Sequence, residues 1–178
     1  MLALFTGSFD PYTIGHDDIL RRALPLFDRI VIAIGVNERK QYMLTTDERR
    51  RAIEQLYKDE PKVSVTTYSD LTVDLAQRLG AHYIIKGVRS MKDFEYEREQ
   101  ADINRQLSGI ETLLLFASPE LASVSSSMVR ELAHFGKDVS AFLPQKITIP
   151  QSNVCARTCS LAKRSGARTP ELLKLLNS

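Results

Sequence analysis

A chain of 178 residues with 43% hydrophobic and 26% charged side chains has the makeup of one soluble globular domain able to bury a core, with or without a tail. No run of about 18 apolar residues occurs, which excludes a membrane-spanning helix. The formal net charge of +2 is unevenly spread: Arg157, Lys163, Arg164, Arg168 and Lys174 stand against Glu171 in residues 151–178, so the body is slightly acidic and lacks a nucleic-acid-binding composition.

The apolar runs Leu2 to Phe5 and Ile30 to Gly35 lack polar alternation, as strands covered on both faces do. Between them Ile19, Leu20, Ala23, Leu24 and Phe27 recur at helical spacing. Thr45-Thr46-Asp47-Glu48 reads as a capping box ahead of a helix bearing Ile53 and Leu56. A third strand, Lys62 to Tyr68, precedes a helix with Val73, Leu75, Ala76 and Leu79 that Gly80 stops. His82 to Gly87 forms a fourth strand, followed by a long charged helix without Gly or Pro over Phe94 to Leu107. Glu111 to Phe116 is the fifth strand and Met128 to Phe135 the last helix.

This alternation predicts an α/β fold: a single doubly wound, mainly parallel five-stranded sheet with helices on both faces, Rossmann-like, over residues 1–148. Such sheets bind ligands beyond the carboxyl ends of their strands, so chemistry is expected in the loops that follow strands. Residues 149–178, with Pro150, a polar stretch and a short amphipathic patch at Pro170 to Leu176, are expected to be a flexible tail carrying at most one short helix. Cys155 and Cys159 lack nearby histidines and read as reduced thiols. With no basic n-region or cleavage site at the N-terminus, a cytoplasmic location is expected.

The first strand-to-helix junction is TGSFDPYTIGH. Gly7 permits a sharp turn and close approach to a ligand, Ser8 offers a hydroxyl and Phe9 an apolar plug, and Asp10-Pro11 stiffens the turn. Gly15 admits His16 at a helix start, where backbone amides and the helix dipole favour an anion and an imidazole can donate to phosphate oxygens. After the fifth strand, VSSSMVR (Val124 to Arg130) puts good capping residues at a helix start, with hydroxyls and amides able to cradle a triphosphate.

TIGH (Thr13 to His16) and VSSSMVR resemble the two signatures of the nucleotidyltransferase superfamily marked by a T/H-x-G-H motif. KGVRSMKDFEYE (Lys86 to Glu97), with GSFDP, Asn37 to Lys40, DINRQL (Asp102 to Leu107) and FLP (Phe142 to Pro144), resembles the bacterial phosphopantetheine adenylyltransferase family from residue 2 to about 144. The resemblance implies transfer of AMP from ATP to 4′-phosphopantetheine, giving dephospho-coenzyme A and pyrophosphate in coenzyme A synthesis. It further implies Mg²⁺ carried with ATP, feedback binding of coenzyme A and a homohexamer.

By the same resemblance, His16, Lys40 and Arg89 are the catalytic candidates. Ser8, Lys40, Thr72 and Lys86 correspond to acceptor contacts. Ser8, Phe9, His16, Gly87, Val88, Arg89 and Glu97 correspond to ATP contacts, as does the turn Leu121, Ala122, Ser123, Val124, Ser125, Ser126 and Ser127. No protein-held metal is implied. Lys86 replaces the family's usual arginine, keeping the charge without the bidentate fork. The turn at Leu121 to Val124 lacks the Trp or Tyr often found there.

The rival readings are transfer to another phosphorylated acceptor, such as nicotinate mononucleotide or glycerol phosphate, and a non-catalytic nucleotide-binding or RNA-binding module. Thr13 stands where nicotinate-type enzymes tend to carry His, and no R-T-x-G-I-S-T-T pattern of the cytidylyltransferases occurs.

Overall fold

The computed structural model describes residues 1–149. Cys155, Cys159 and the helix expected at 170–176 lie outside the described residues. The strands are β1 (Leu2–Gly7), β2 (Arg29–Gly35), β3 (Val63–Tyr68), β4 (Tyr83–Val88) and β5 (Glu111–Phe116), and all four pairings are parallel. The helices are α1 (Ile14–Ala23), α2 (Thr46–Leu56), α3 (Thr72–Leu79), α4 (Met91–Ser108) and α5 (Ser126–His134). Strand order is β3-β2-β1-β4-β5.

The two faces of the sheet separate by residue parity, as a pleated strand requires. Ala3 and Phe5 of β1 and Ile30, Ile32 and Ile34 of β2 pack with residues of α1, α2 and α5. Leu4, Val31, Ala33 and Ile84 pack on the other face with Leu75 and Ala76 of α3. Each buried aliphatic side chain of this kind contributes about 1.5–3 kcal/mol.

Helix boundaries follow local chemistry that apolar spacing alone does not mark. α1 ends at Ala23, earlier than the periodicity suggests, because Pro25 lacks an N–H and Leu24–Leu26 tightens into a 3₁₀ turn. α4 starts three residues before Phe94, where the Ser90 side chain accepts from the Asp93 amide. α2 begins as the capping box anticipates, with Thr45 as cap and Glu48 closing it. Gly80, at φ 66, ends α3 in the left-handed conformation.

Candidate active site

In this strand order the chain winds outward from β1 through β2 to β3, then crosses to β4 on the opposite side of β1. The carboxyl ends of β1 and β4 therefore flank the topological switch point, where the loops diverge and leave a crevice. A cleft of about 260 Å³ lies there. It collects Ser8, Phe9 and His16 from the β1–α1 junction and Lys40 from the loop before α2. Lys86, Gly87 and Arg89 enter from the end of β4, and Glu97 from α4. Leu121, Val124, Ser125, Ser126 and Ser127 close the opposite wall.

Four expected contacts lie elsewhere. The Val88 side chain is buried in the core, Ala122 and Ser123 are exposed beside the cleft wall, and the Thr72 hydroxyl is 3.0 Å from the Tyr68 hydroxyl, outside the lining. Conversely, Asp93 and Arg130 line the cleft although sequence reasoning gave neither a role in it. The signal for Asp93 was present: it stands four residues before Glu97, hence on the same helical face.

The β1–α1 loop is held from beneath. Phe9 adopts φ 48, a conformation costly for a residue with a side chain, and its buried ring stabilises it. A Cβ on Gly7 would lie 3.0 Å from that ring, tighter than ordinary van der Waals contact, so any side chain here would make the ring give way. Arg49 of α2, 1% exposed, donates from Nη1 to the Ser8 carbonyl at 2.6 Å, and its guanidinium lies 4.1 Å from the Tyr42 ring centroid. Burial pulls the Arg49 pKa below its ordinary value. The Asp10 carboxylate accepts from the Met43 and Leu44 amides, both at 2.8 Å, joining this loop to the one that carries Lys40. Arg130 Nη1 donates to the Asp10 carbonyl at 2.6 Å, and the Ser126 hydroxyl donates to the Pro11 carbonyl at 2.8 Å, so α5 grips the same loop from the far side.

His16 is fixed in one tautomer. Its Nδ1 accepts the Thr13 amide at 3.0 Å, so the ring proton resides on Nε2. The Thr13 hydroxyl is also 3.0 Å from Nδ1. Phe9 meets the imidazole edge-on at 5.1 Å between centroids, and Tyr12 lies at 5.3 Å. His16 is half-buried and lines the cleft. Desolvation first, and the Arg89 charge second, lower its pKa from 6.5 to about 4. His16 is thus a neutral hydrogen-bond donor at physiological pH.

The cations at the end of β4 are each paired with α4. Lys86 Nζ is 3.4 Å from Glu97 Oε2, and Arg89 Nε is 3.0 Å from Asp93 Oδ2. Arg89 also donates to the Val124 carbonyl at 3.4 Å, which ties it to the turn before α5. There Ser125 caps the helix by accepting the Met128 amide at 3.0 Å. The Ser126 and Ser127 amides have no intrahelical acceptor at this terminus and lie at the cleft, an anion-binding arrangement. The Ser126 proton is committed to Pro11, so among the three hydroxyls only Ser125 and Ser127 retain a donor for a ligand.

A neutral imidazole donor, the cations Lys40, Lys86, Arg89 and Arg130, and a helix N-terminus lining one crevice constitute a site for a polyphosphate and its developing charge. Comparison with known proteins decides the family. Over 147 residues the chain is 52% identical to the phosphopantetheine adenylyltransferase of Phocaeicola vulgatus, covering 83% of this chain and 97% of that protein. The chain belongs to the phosphopantetheine adenylyltransferase family. The protein of that name from Bacteroides thetaiotaomicron is 50% identical over the same shares, and that of Porphyromonas gingivalis is 51% identical over 81% of this chain and 94% of its own. A cytidylyltransferase-like family model matches residues 4–132. The crystal structure of a bifunctional NMN adenylyltransferase/ADP ribose pyrophosphatase from Francisella tularensis shares the fold, with a TM-score of 0.64 at 14% identity, over 95% of this chain and 57% of that one.

Among the described residues no group of three or more His, Cys, Asp or Glu side chains could hold a metal ion. Among them, too, no helix is long and apolar enough to cross a membrane.

Proposed function

We propose that this chain transfers AMP from ATP to 4′-phosphopantetheine, producing dephospho-coenzyme A and pyrophosphate. Relatives bearing that enzyme's name, about half identical over nearly their whole length, support it. The observation that carries the residue assignment is convergence: His16, Lys40, Lys86 and Arg89, from three separate segments, face one cleft at the switch point.

The acceptor phosphate is largely dianionic at neutral pH, its second pKa being about 6, so it needs no general base. Catalysis then rests on holding acceptor oxygen and α-phosphorus in line and on stabilising charge as it moves. His16 donates from Nε2 to the α-phosphate, Lys40 and Arg89 offset charge on the transferring group, and the Ser126 and Ser127 amides hold the outgoing pyrophosphate. Lys86 and Lys40 take the acceptor phosphate. Mg²⁺ enters as part of the MgATP substrate. The cleft carboxylates Asp93 and Glu97 are engaged by Arg89 and Lys86 and do not suit a resident metal.

The same reading extends to a cytoplasmic homohexamer with feedback binding of coenzyme A. Exposed Met91, Tyr96, Ile103 and Leu107 along α4 supply apolar surface for such assembly. The test is pyrophosphate release from ATP with a panel of phosphorylated acceptors. Activity with phosphopantetheine alone supports the proposal; activity with nicotinate mononucleotide instead overturns the acceptor, and none with any acceptor overturns the enzymatic reading. His16→Ala should lower kcat by about 10²- to 10³-fold with little change in ATP affinity.

A further inference from the structure

Three polar groups behind the cleft take no part in the reaction as described. Tyr12 and Tyr57 are 2% and 7% exposed, and their hydroxyls are 2.9 Å apart. The Tyr57 hydroxyl also donates to Asp17 Oδ1. Since its single proton goes to Asp17, Tyr12 must be the donor to Tyr57, and the chain of bonds runs from Tyr12 through Tyr57 to the carboxylate. Asp17 Oδ2 in turn accepts Arg21 Nε at 2.8 Å.

Packing does not require these hydroxyls. Phenylalanine would fill either buried position, and a buried hydroxyl is desolvated at a cost. Nor does Asp17 need them for charge balance, because Arg21, one turn on, supplies it. What the bonds do is fix the plane of the Tyr12 ring, and that ring is a wall of His16, 5.3 Å between centroids and inclined by 36°. Phe9 stands on another side of the same imidazole and touches Tyr12 as well, at 5.4 Å. Tyr57 caps the C-terminus of α2, so the array also pins α1 beside His16 to the helix that carries Arg49.

We infer that Tyr12, Tyr57 and Asp17 are positioning residues for His16, holding its imidazole so that Nε2–H points at the reacting phosphate. None of the three lines the cleft, so they act through His16 and not on substrate. The inference rests on the proposed role of His16. Burial first, and the neighbouring carboxylate after it, keep Tyr57 protonated far above its ordinary pKa, and burial does the same for Tyr12. Both hydroxyls therefore keep their protons, and the hydrogen bonds that hold the Tyr12 ring stay intact across the working pH range.

The test is a double-mutant cycle on the full-length enzyme. Tyr57→Phe and Tyr12→Phe are each made alone and in a His16→Asn background, with kcat and both KM values measured by pyrophosphate release. A small misplacement of a catalytic group costs up to about 10²-fold, so each single variant should lose about tenfold in kcat with KM for ATP and for phosphopantetheine unchanged within about twofold. In the His16→Asn background the same changes should have no further effect. Equal losses in both backgrounds, or an unchanged kcat in the single variants, would overturn the array. A wild-type kcat in His16→Asn itself would instead defeat the role of His16. Tyr12→Phe leaves the Tyr57–Asp17 bond in place, so it carries the test if Tyr57→Phe fails to fold.

Discussion

The lowered His16 pKa makes a prediction whose sign and size can both be worked out. The shift from 6.5 to about 4 corresponds to about 3 kcal/mol of preference for neutral imidazole in the folded protein. Above pH 6.5 neither the folded nor the unfolded state holds the proton, and His16 contributes no pH dependence. Between 6.5 and about 4 the unfolded chain binds a proton that the folded one refuses, so stability falls as pH falls. Below that window both states are protonated and the loss is complete. At pH 5 His16 should have cost about 2 kcal/mol relative to pH 7.5.

Two measurements check this. The His16 C2 proton, identified among the three histidines by its disappearance in His16→Asn, should stay flat by NMR from pH 8 to 5.5. Urea unfolding of wild type and His16→Asn at pH 7.5 and 5 should show wild type losing about 2 kcal/mol more on acidification. A titration midpoint between 6 and 7 would refute the neutral-donor argument. Rate is the poorer assay, because the acceptor phosphate itself titrates at about pH 6.

Two substitutions test how the loop is held. Gly7→Ala puts a Cβ 3.0 Å from the Phe9 ring, which packs edge-on against His16; overpacking should cost about 1–3 kcal/mol in chemical denaturation, with kcat reduced more than ATP affinity. Arg49→Met strips the buried donor from the Ser8 carbonyl and should cost about 1–3 kcal/mol, seen as a lower Tm and a lower kcat although Arg49 does not line the cleft.

Much of the fold is legible in the sequence because a parallel sheet covered on both faces leaves uninterrupted apolar runs. Ile30 to Gly35 and His82 to Gly87 carry no polar residue at the buried centre, and their positions match β2 and β4 within one residue. Helix ends are legible where a side chain marks them, as Thr45 and Gly80 do. They are obscured where the cap precedes the apolar pattern, as Ser90 does, or where proline ends a helix whose apolar spacing continues, as Pro25 does. The site is legible where residues cluster in one loop. Arg49 and Tyr57, which hold that loop, lie in a helix and at its C-cap about 40 positions away, and no local pattern distinguishes a buried arginine from the exposed Arg51 beside it.

The substitution at 86 is the case where structure alters the argument most. In the sequence, lysine for arginine suggests a weaker grip on phosphate, since a guanidinium binds with two parallel bonds and an ammonium with a point charge. In the structure Lys86 does not stand alone. Asp93 and Glu97 present two carboxylates on one face of α4, and each meets one of the cations at the end of β4. Under the proposed assignment, substrate phosphate competes with a carboxylate at each position, and net affinity is the difference between two charge-assisted contacts. Arginine at 86 would strengthen the bond to Glu97 as well as the bond to phosphate, so the exchange would change less than either contact alone. The partner that sets the balance is Glu97, whose Oε2 is buried without a hydrogen bond and faces Lys86. Substituting Lys86 by arginine should accordingly alter KM for the acceptor less than removing the charge of Glu97 does.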